Sequence, residues 1–440
     1  MTVVEHPAVV ERVGKWLGTL PAGWTGARLF ELADAWTSNV DKHSVDGEQL
    51  VRLSNYVDVY HNDSIVESLD FMTATAAREQ IKRFRIRIGD TLITKDSEAA
   101  DDIGIPAFVE YEADDLICGY HLAIVRPMPK KVVPKFLFWT LRSEPIAGQW
   151  AVLASGVTRV GIRSADLKKV TIPRPPLGEQ QVIADFLDRE TARIDALVAK
   201  QEELIVLLRQ RRSAAAELAV SGVRPTGSRL KHVIRSVRQG WSPQCYAWPA
   251  DGIEKWAVLK AGAANGGIFR PTENKELPAN ENPRPEIVVR RNDLIVSRAN
   301  TRDLVGSAAV VEGDFPRLMM SDKLYAFVLD ERRAIPRFVA TVLGSERWRD
   351  LIEIEATGAS SSMLNISQGD IVNLPMTLPP VEEQRRALAE LDEQTVRIDD
   401  LIVKAKEHIA FAKERRAALI TAAVTGQFDV RTVASTRKAN

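Results

Sequence analysis

The chain has 440 residues, 45% of them hydrophobic and 27% charged, which is material for two or three domains of about 150 residues each. Lys plus Arg and Asp plus Glu both number 59, so no global basic or acidic field announces a partner. Cys118 and Cys245 are the only cysteines and exclude a disulfide framework. The charged N-terminus argues against a secretory signal, and no run approaches about 18 apolar residues, so a cytoplasmic protein without a membrane span is expected.

In chain order, the first patterned stretch is 81–94, IKRFRIRIGDTLIT. Its alternation predicts a strand with Arg83, Arg85 and Arg87 on one face, then a Gly-Asp turn and a second strand. Three cations about 6.8 Å apart on a strand suit a phosphate track, although an ordinary solvated face has the same pattern. A helix is expected over 134–142, followed by a Gly-rich loop, 154–163, that carries Arg159 and Arg163 where small residues let backbone amides approach an anion. Pro175-Pro176 then precedes an uninterrupted stretch, 179–220, free of Pro and Gly and closed by Gly222, which predicts a helix of roughly 63 Å.

The plan then recurs. Segment 286–297 repeats the strand–turn–strand pattern with Arg290 and Arg291 beside an Asn-Asp turn and Arg298 just beyond. A second helix is expected over 336–343. A second small-residue loop, 356–367, carries Ser361 and Asn365, whose hydroxyl and amide groups can contact phosphates or base edges. Residues 379–426 align with 175–222 at a constant offset of 204, and 20 of the 48 aligned positions are identical. The chain is two copies of one unit, each a divergent globular part and a well-matched long helix. A heptad reading puts Ile183, Leu187, Ile194, Leu197, Leu204 and Leu208 on the seam of the first helix. Leu391, Ile398, Leu401 and Leu419 fall on the seam of the second. The connectivity favours an antiparallel pair. The expected fold is α+β: two similar mixed α/β parts separated by two long antiparallel helices, with a pseudo-twofold internal repeat. Its segments are 1–174, 175–224, 225–378, 379–430 and a disordered tail at 431–440.

No enzyme constellation emerges. A P-loop spacing is absent, and Asn282-Pro283-Arg284-Pro285 is a poor match to a methyltransferase tetrapeptide. The six histidines show no metal-ligand spacing with the cysteines, so no metal site is expected. Asp96, Glu98, Asp101 and Asp102 read as a solvated acidic loop.

The segments 14–24 (GKWLGTLPAGW), 89–97 (GDTLITKDS), 172–188 and 378–392 (the doubled PP-x-x-EQ junction) and the two helix endings at 211–222 and 415–427 resemble the specificity subunit of type I restriction–modification systems. The resemblance implies two target recognition domains, each reading one half of a bipartite sequence in double-stranded DNA. The paired helices would set the half-site separation and carry two methyltransferase subunits, with restriction and translocase subunits joining the complex. It also implies no catalysis in this chain, with S-adenosylmethionine, ATP and Mg on the partner subunits. A coiled-coil scaffold whose globular parts bind protein, or an enzyme with an unrecognised site, are the alternatives from other classes.

Overall fold

In a computed structural model, residues 14–360 and 363–431 are described. The chain forms two compact units. Residues 1–201 and 407–440 make unit 1, and residues 202–406 make unit 2. The boundaries differ from the segments the sequence suggests, because both long helices, Leu177–Ala219 and Val381–Val424, are shared between the units. Each unit owns one globular part, the start of the helix that follows it, and the end of the other helix.

The two globular parts have one architecture. In unit 1 an antiparallel sheet runs Ala33–Thr37, Leu122–Pro127, Thr91–Thr94, Pro106–Val109, with Ser64–Ile65 added parallel at the edge. In unit 2 the order is Ile234–Gln239, Leu324–Leu329, Leu294–Ser297, Ala308–Val310. A second three-stranded sheet accompanies each: Met72–Ala76, Gln49–Ser54, Leu116–Cys118 in unit 1 and Asn274–Glu276, Ala257–Leu259, Leu318–Met319 in unit 2. Near-continuous apolar runs such as Leu122–Val125 and Leu324–Phe327 build these central strands because both faces are covered. Each unit thus has two cores, one between its sheets and one between its main sheet and helices.

Two helices follow the last strand of each main sheet, Pro134–Leu141 with Glu144–Leu153, and Pro336–Gly344 with Glu346–Glu355. Proline at the first position starts Pro134–Leu141 and Pro336–Gly344, because its missing N–H is one the helix would leave unbonded anyway. The Glu-Gln junction explains itself here. Gln180 and Gln384 are buried, and each side-chain oxygen accepts from the backbone N–H just before that proline, Val133 at 2.8 Å and Ile335 at 2.9 Å. Each side-chain amide donates back to Pro175 or Pro379, both at 2.8 Å. One glutamine in each copy therefore locks the start of a long helix to the domain before it.

Within unit 1 the end of the second long helix and the residues just after it run antiparallel to the start of the first. Glu179 meets Arg431 at 3.5 Å, the Phe186 and Phe428 rings lie 5.7 Å apart, and Asp195 pairs with Arg416 at 2.9 Å. In unit 2 Arg212 pairs with Asp399 at 3.1 Å, and further along Val220 shares a core with Leu388. The other helix also caps each domain: the N–H of Glu144 donates to Thr421, and that of Glu346 to Glu217, residues 204 apart in the two helices.

The expected seam needs correcting. Leu187, Leu208, Leu391 and Ile398 are buried and Ile194 and Leu419 half-buried, but Leu197, Leu204 and Leu401 are 49%, 40% and 48% exposed. Ile205 and Ile402 point inward instead, so the step from Ile194 is four residues to Val198 rather than three. Residues 432–440 of the expected tail and Ser361 lie outside the described residues, while Arg431 is held by Asp429 and Glu179. No helix among the described residues is long and apolar enough to cross a membrane.

Candidate nucleic-acid interface

The turn before the third strand of each main sheet is a repeated device. Gly89 (φ +91°) and Asn292 (φ +67°) occupy the same place, and the left-handed backbone there explains why asparagine is the substitute for glycine. The following aspartate, Asp90 or Asp293, is buried and accepts from the backbone N–H of Arg87 or Arg290, at 2.8 and 2.7 Å. An arginine from another strand completes the clamp. In unit 1 Arg126 donates to Asp90 at 2.6 Å and to the Arg85 carbonyl at 3.0 Å. In unit 2 Arg238 donates to Asp293 and to the Val288 carbonyl, the latter at 2.7 Å. Burying a carboxylate is tolerable only with such partners.

This clamp removes the proposed phosphate track. Residues Arg78–Phe84 are helix and Arg85 makes an isolated bridge to Ile117, so Arg83, Arg85 and Arg87 do not share a strand face. Arg85 pairs with Asp114 at 2.5 Å, and Arg83 and Arg87 are exposed. The apparent alternation arose because Phe84, the last helical residue, and Ile86, in extended chain, are both buried. Likewise 285–287 form a 3-10 turn and only Leu294–Ser297 is strand. Arg290 and Arg291 are exposed at the turn end, Arg291 paired with Asp314 at 2.9 Å.

The opposite end of that strand carries the second repeated device. In each unit the loop that precedes the long helix folds back on the segment just after the strand. Val160–Gly161 pairs with Asp96–Ser97 in unit 1, and Met363–Asn365 pairs with Ala299–Asn300 in unit 2. The N–H of Ile162 donates to Lys95, and that of Ile366 to Arg298, at 2.8 and 2.9 Å. The backbone thus brings Lys95 together with Arg163, and Arg298 with Asn365, all four DNA-contact candidates of the sequence, while the turn-end arginines are not among them.

The side chains on these two rims differ. In unit 1 the Lys95 ammonium lies 2.8 Å from Asp96 and 4.4 Å from the centre of the Tyr120 ring, and His121 Nδ1 is 2.9 Å from the same carboxylate. Burial raises the Asp96 pKa, but the hydrogen bonds from Lys95 and His121 outweigh it and hold the carboxyl below its ordinary value. Tyr60 donates to Asp102, and the Tyr56 ring stacks on Tyr60 at 5.3 Å. Burial pushes the Tyr56 phenol up, against a hydrogen bond with Ser97 and the nearby charge of Arg159. Arg159 is exposed and has no ion pair among the described residues; Arg163 is 77% exposed, 3.6 Å from Asp166. Asp96 and Asp102 are thus hydrogen-bonded parts of the rim, whereas Glu98 and Asp101 are exposed.

In unit 2 the rim is built from amides. Asn300 donates to Asn265 at 3.2 Å, Arg298 donates to the Asp322 carbonyl at 3.3 Å, and Asn365 is half-buried beside them. Tyr56, Tyr60, Tyr120 and Asn265 carry no sequence signal, since nothing local distinguishes them from core or loop residues. A stacked pair elsewhere in unit 2, Tyr246 and Trp248 at 4.5 Å, is 40% and 54% exposed. Among the described residues no group of three or more His, Cys, Asp or Glu could hold a metal ion. Both cysteines are free, and burial pushes their thiols up.

Residues 48–205 match the family model described as the type I restriction modification DNA specificity domain. Over 165 residues the chain is 32% identical to the EcoEI type I restriction enzyme specificity subunit of Escherichia coli, 38% of this chain and 28% of that protein. Over 376 residues it is 26% identical to the putative MjaX type I restriction enzyme specificity subunit of Methanocaldococcus jannaschii, 81% of this chain and 82% of that one. The first match therefore spans just over a quarter of its relative, and the second most of it. A solved chain from work on complex assembly and conformational transition of the type I R-M system has the same fold. Its TM-score is 0.64 at 21% identity, over 93% of this chain and 100% of that one.

Proposed function

We infer that this chain, which carries the DNA specificity domain of type I restriction–modification systems, is the sequence-reading subunit of such a complex. Each globular part is a target recognition domain that reads one half of a bipartite DNA target. The observation that carries this reading is the repeated rim: one backbone ladder presented twice, with Lys95, Asp96, His121 and Arg159 on one copy and Arg298, Asn300 and Asn365 on the other. A duplicated frame with unlike polar edges is what two different half-sites require, because cations position the phosphate backbone whereas amide and carboxylate groups discriminate base edges. With a formal net charge of zero, affinity for DNA has to come from such local surfaces.

In this reading the chain performs no catalysis. Two methyltransferase subunits and the restriction and translocase subunits supply it, and S-adenosylmethionine, ATP and magnesium belong to them. The polar outer faces of the long helices offer those subunits a docking surface.

The test is methylation mapping. The chain assembled with its methyltransferase subunits is expected to direct methylation to a two-part sequence. Exchange of residues 20–170 for the corresponding segment of a relative should alter one half of that sequence and leave the other unchanged. Alteration of both halves, or duplex binding without sequence preference and without salt dependence, would sink the assignment.

A further inference from the structure

The repeat also reveals a difference away from the rims. In unit 1, Arg416 near the end of the second long helix meets two carboxylates, Asp195 at 2.9 Å and Asp63. Asp63 also pairs with Arg142 at 2.7 Å, so one carboxylate joins two guanidinium groups. It immediately precedes Ser64–Ile65, the strand that edges the main sheet. A side chain of this chain thereby ties the sheet edge to the long helix.

In unit 2 the arginine is kept and the carboxylate is not. Arg212 stands 204 residues before Arg416, and its pair with Asp399, at 3.1 Å, repeats the pair with Asp195. No second carboxylate pairs with Arg212 among the described residues. The sheet edge at Ala308–Val310 is covered instead by the 3-10 segment Ala261–Gly267, which ends in two glycines of positive φ. Between that edge and the helix lies a cavity of about 590 Å³, within the size range of small-molecule sites.

Four arginines line the cavity, Arg209, Arg212, Arg337 and Arg349, against two carboxylates, Asp303 and Glu312. Arg337 is satisfied by Asp392. Among the described residues Arg349 hydrogen-bonds only backbone carbonyls, Val305 at 2.6 Å nearest, with the charges of Glu353 and Asp303 close by, and Arg209 has no ion pair. The remainder of the lining is largely apolar, with Phe269, Leu304 and Leu391 among its walls. Guanidinium groups grip oxyanions through paired N–H donors, and apolar walls favour a ligand with a hydrocarbon portion.

We propose that this cavity binds a small anion, a phosphate or carboxylate head group on an apolar body, which takes beside Arg212 the place that Asp63 fills beside Arg416. Occupation would fasten the second sheet to the long helix as unit 1 fastens its own.

Calorimetric melting of the full chain at constant ionic strength tests this, with chloride replaced in turn by inorganic phosphate, phenyl phosphate or benzoate. The melting temperature should rise with the aromatic anions at about tenfold lower concentration than with inorganic phosphate, since burial of the ring adds affinity. Whichever of phenyl phosphate and benzoate saturates lower assigns the head group. Arg212→Gln should abolish the rise. So should Gly267→Asp, which supplies the anion from the chain; a Cβ there meets nothing within 4 Å, and at a φ of +75° aspartate is among the side chains that strain the backbone least. The absence of any rise in the unaltered chain, or a rise undiminished in Gly267→Asp, overturns the proposal, and that variant decides alone if Arg212→Gln does not fold.

Discussion

The two rims are the same backbone carrying different chemistry. In both, a residue after the central strand accepts from the isoleucine that ends the returning loop, and a bridge one residue further closes the ladder. On that shared frame unit 1 places an acid clasped by a lysine and a histidine, whereas unit 2 places Ala299 and Asn300 with a second asparagine across from them. Beneath the rim a glycine is kept at the same close approach to a helix side chain. Gly104 faces Trp150 where Gly306 faces Ile352, and an added Cβ would come within 2.2 and 2.5 Å of those side chains. The two copies keep what the backbone needs and differ in what the surface presents, which is what the proposed reading of two unlike half-sites requires.

The comparison breaks most severely at the buried clamp. Asp90→Ala and Asp293→Ala each strand an arginine whose carboxylate partner is buried, so each should cost about 3–5 kcal/mol. Urea melts of the two variants should therefore show similar losses. A loss in one that is less than half of the other would mean that Arg126 and Arg238, which come from different strands, are not equivalent supports.

Next comes the helix register. Ile205 is 8% exposed and Leu204 40%, so Ile205→Ala should cost about 2 kcal/mol or more and Leu204→Ala well under 1 kcal/mol. The reverse order would restore the seam that the sequence suggests. The sequence disguises the true register for a physical reason. Leu197 and Leu204 sit at regular heptad spacing, while the positions that face inward include the smaller Val198 and the polar Thr191, which make the true register hard to see. The repeat itself was legible because the long helices cannot vary without losing their fixed attachments: Gln180 and Gln384 each make hydrogen bonds that no other side chain of that length and polarity would reproduce. The rims are half legible. Arg163, Arg298 and Asn365 stand out as polar residues beside recognisable turns, but the ladder that joins loop to strand spans more than 60 residues and leaves no local periodicity. The arginine track over 83–87 failed for the converse reason, since a helix end and an extended segment in succession imitate the alternation of a strand.

The rims themselves give the sharpest functional contrast. Asn300→Ala and Asn365→Ala should cost about 1–3 kcal/mol of discrimination at one half-site, measured by competition between duplexes altered in one half at a time, with the other half unaffected. Arg159→Gln should instead weaken binding evenly across sequences and reduce the slope of log affinity against log salt by about 0.9. Arg83→Gln, on the helix before the turn, serves as the comparison: a change in slope as large as that of Arg159→Gln would return the phosphate contacts to the turn end.

The smallest effect concerns acid. Asp96 is held below the ordinary carboxyl value by Lys95 and His121, which overcome its burial, whereas the matching position in unit 2 is Ala299 and cannot titrate. A carboxyl whose folded pKa is depressed binds its proton more readily in the unfolded chain. Its contribution to stability is therefore fully present above the unfolded value of about 3.9 and disappears as pH falls through the lower folded value. With both partners at the edge of the domain, that contribution should be about 1 kcal/mol or less. Other carboxyls in unit 1, Glu110 and Asp115 among them, are depressed as well, so the acid limb of the wild-type curve cannot be assigned to one residue. The informative quantity is the difference between wild type and Asp96→Asn: wild type should be the more stable near neutrality, and the gap should close as the solution is acidified below about pH 4. A gap independent of pH would mean that the asparagine reproduces or loses the contacts wholesale, and that the charge on Asp96 plays no part in holding Lys95 and His121 at the rim.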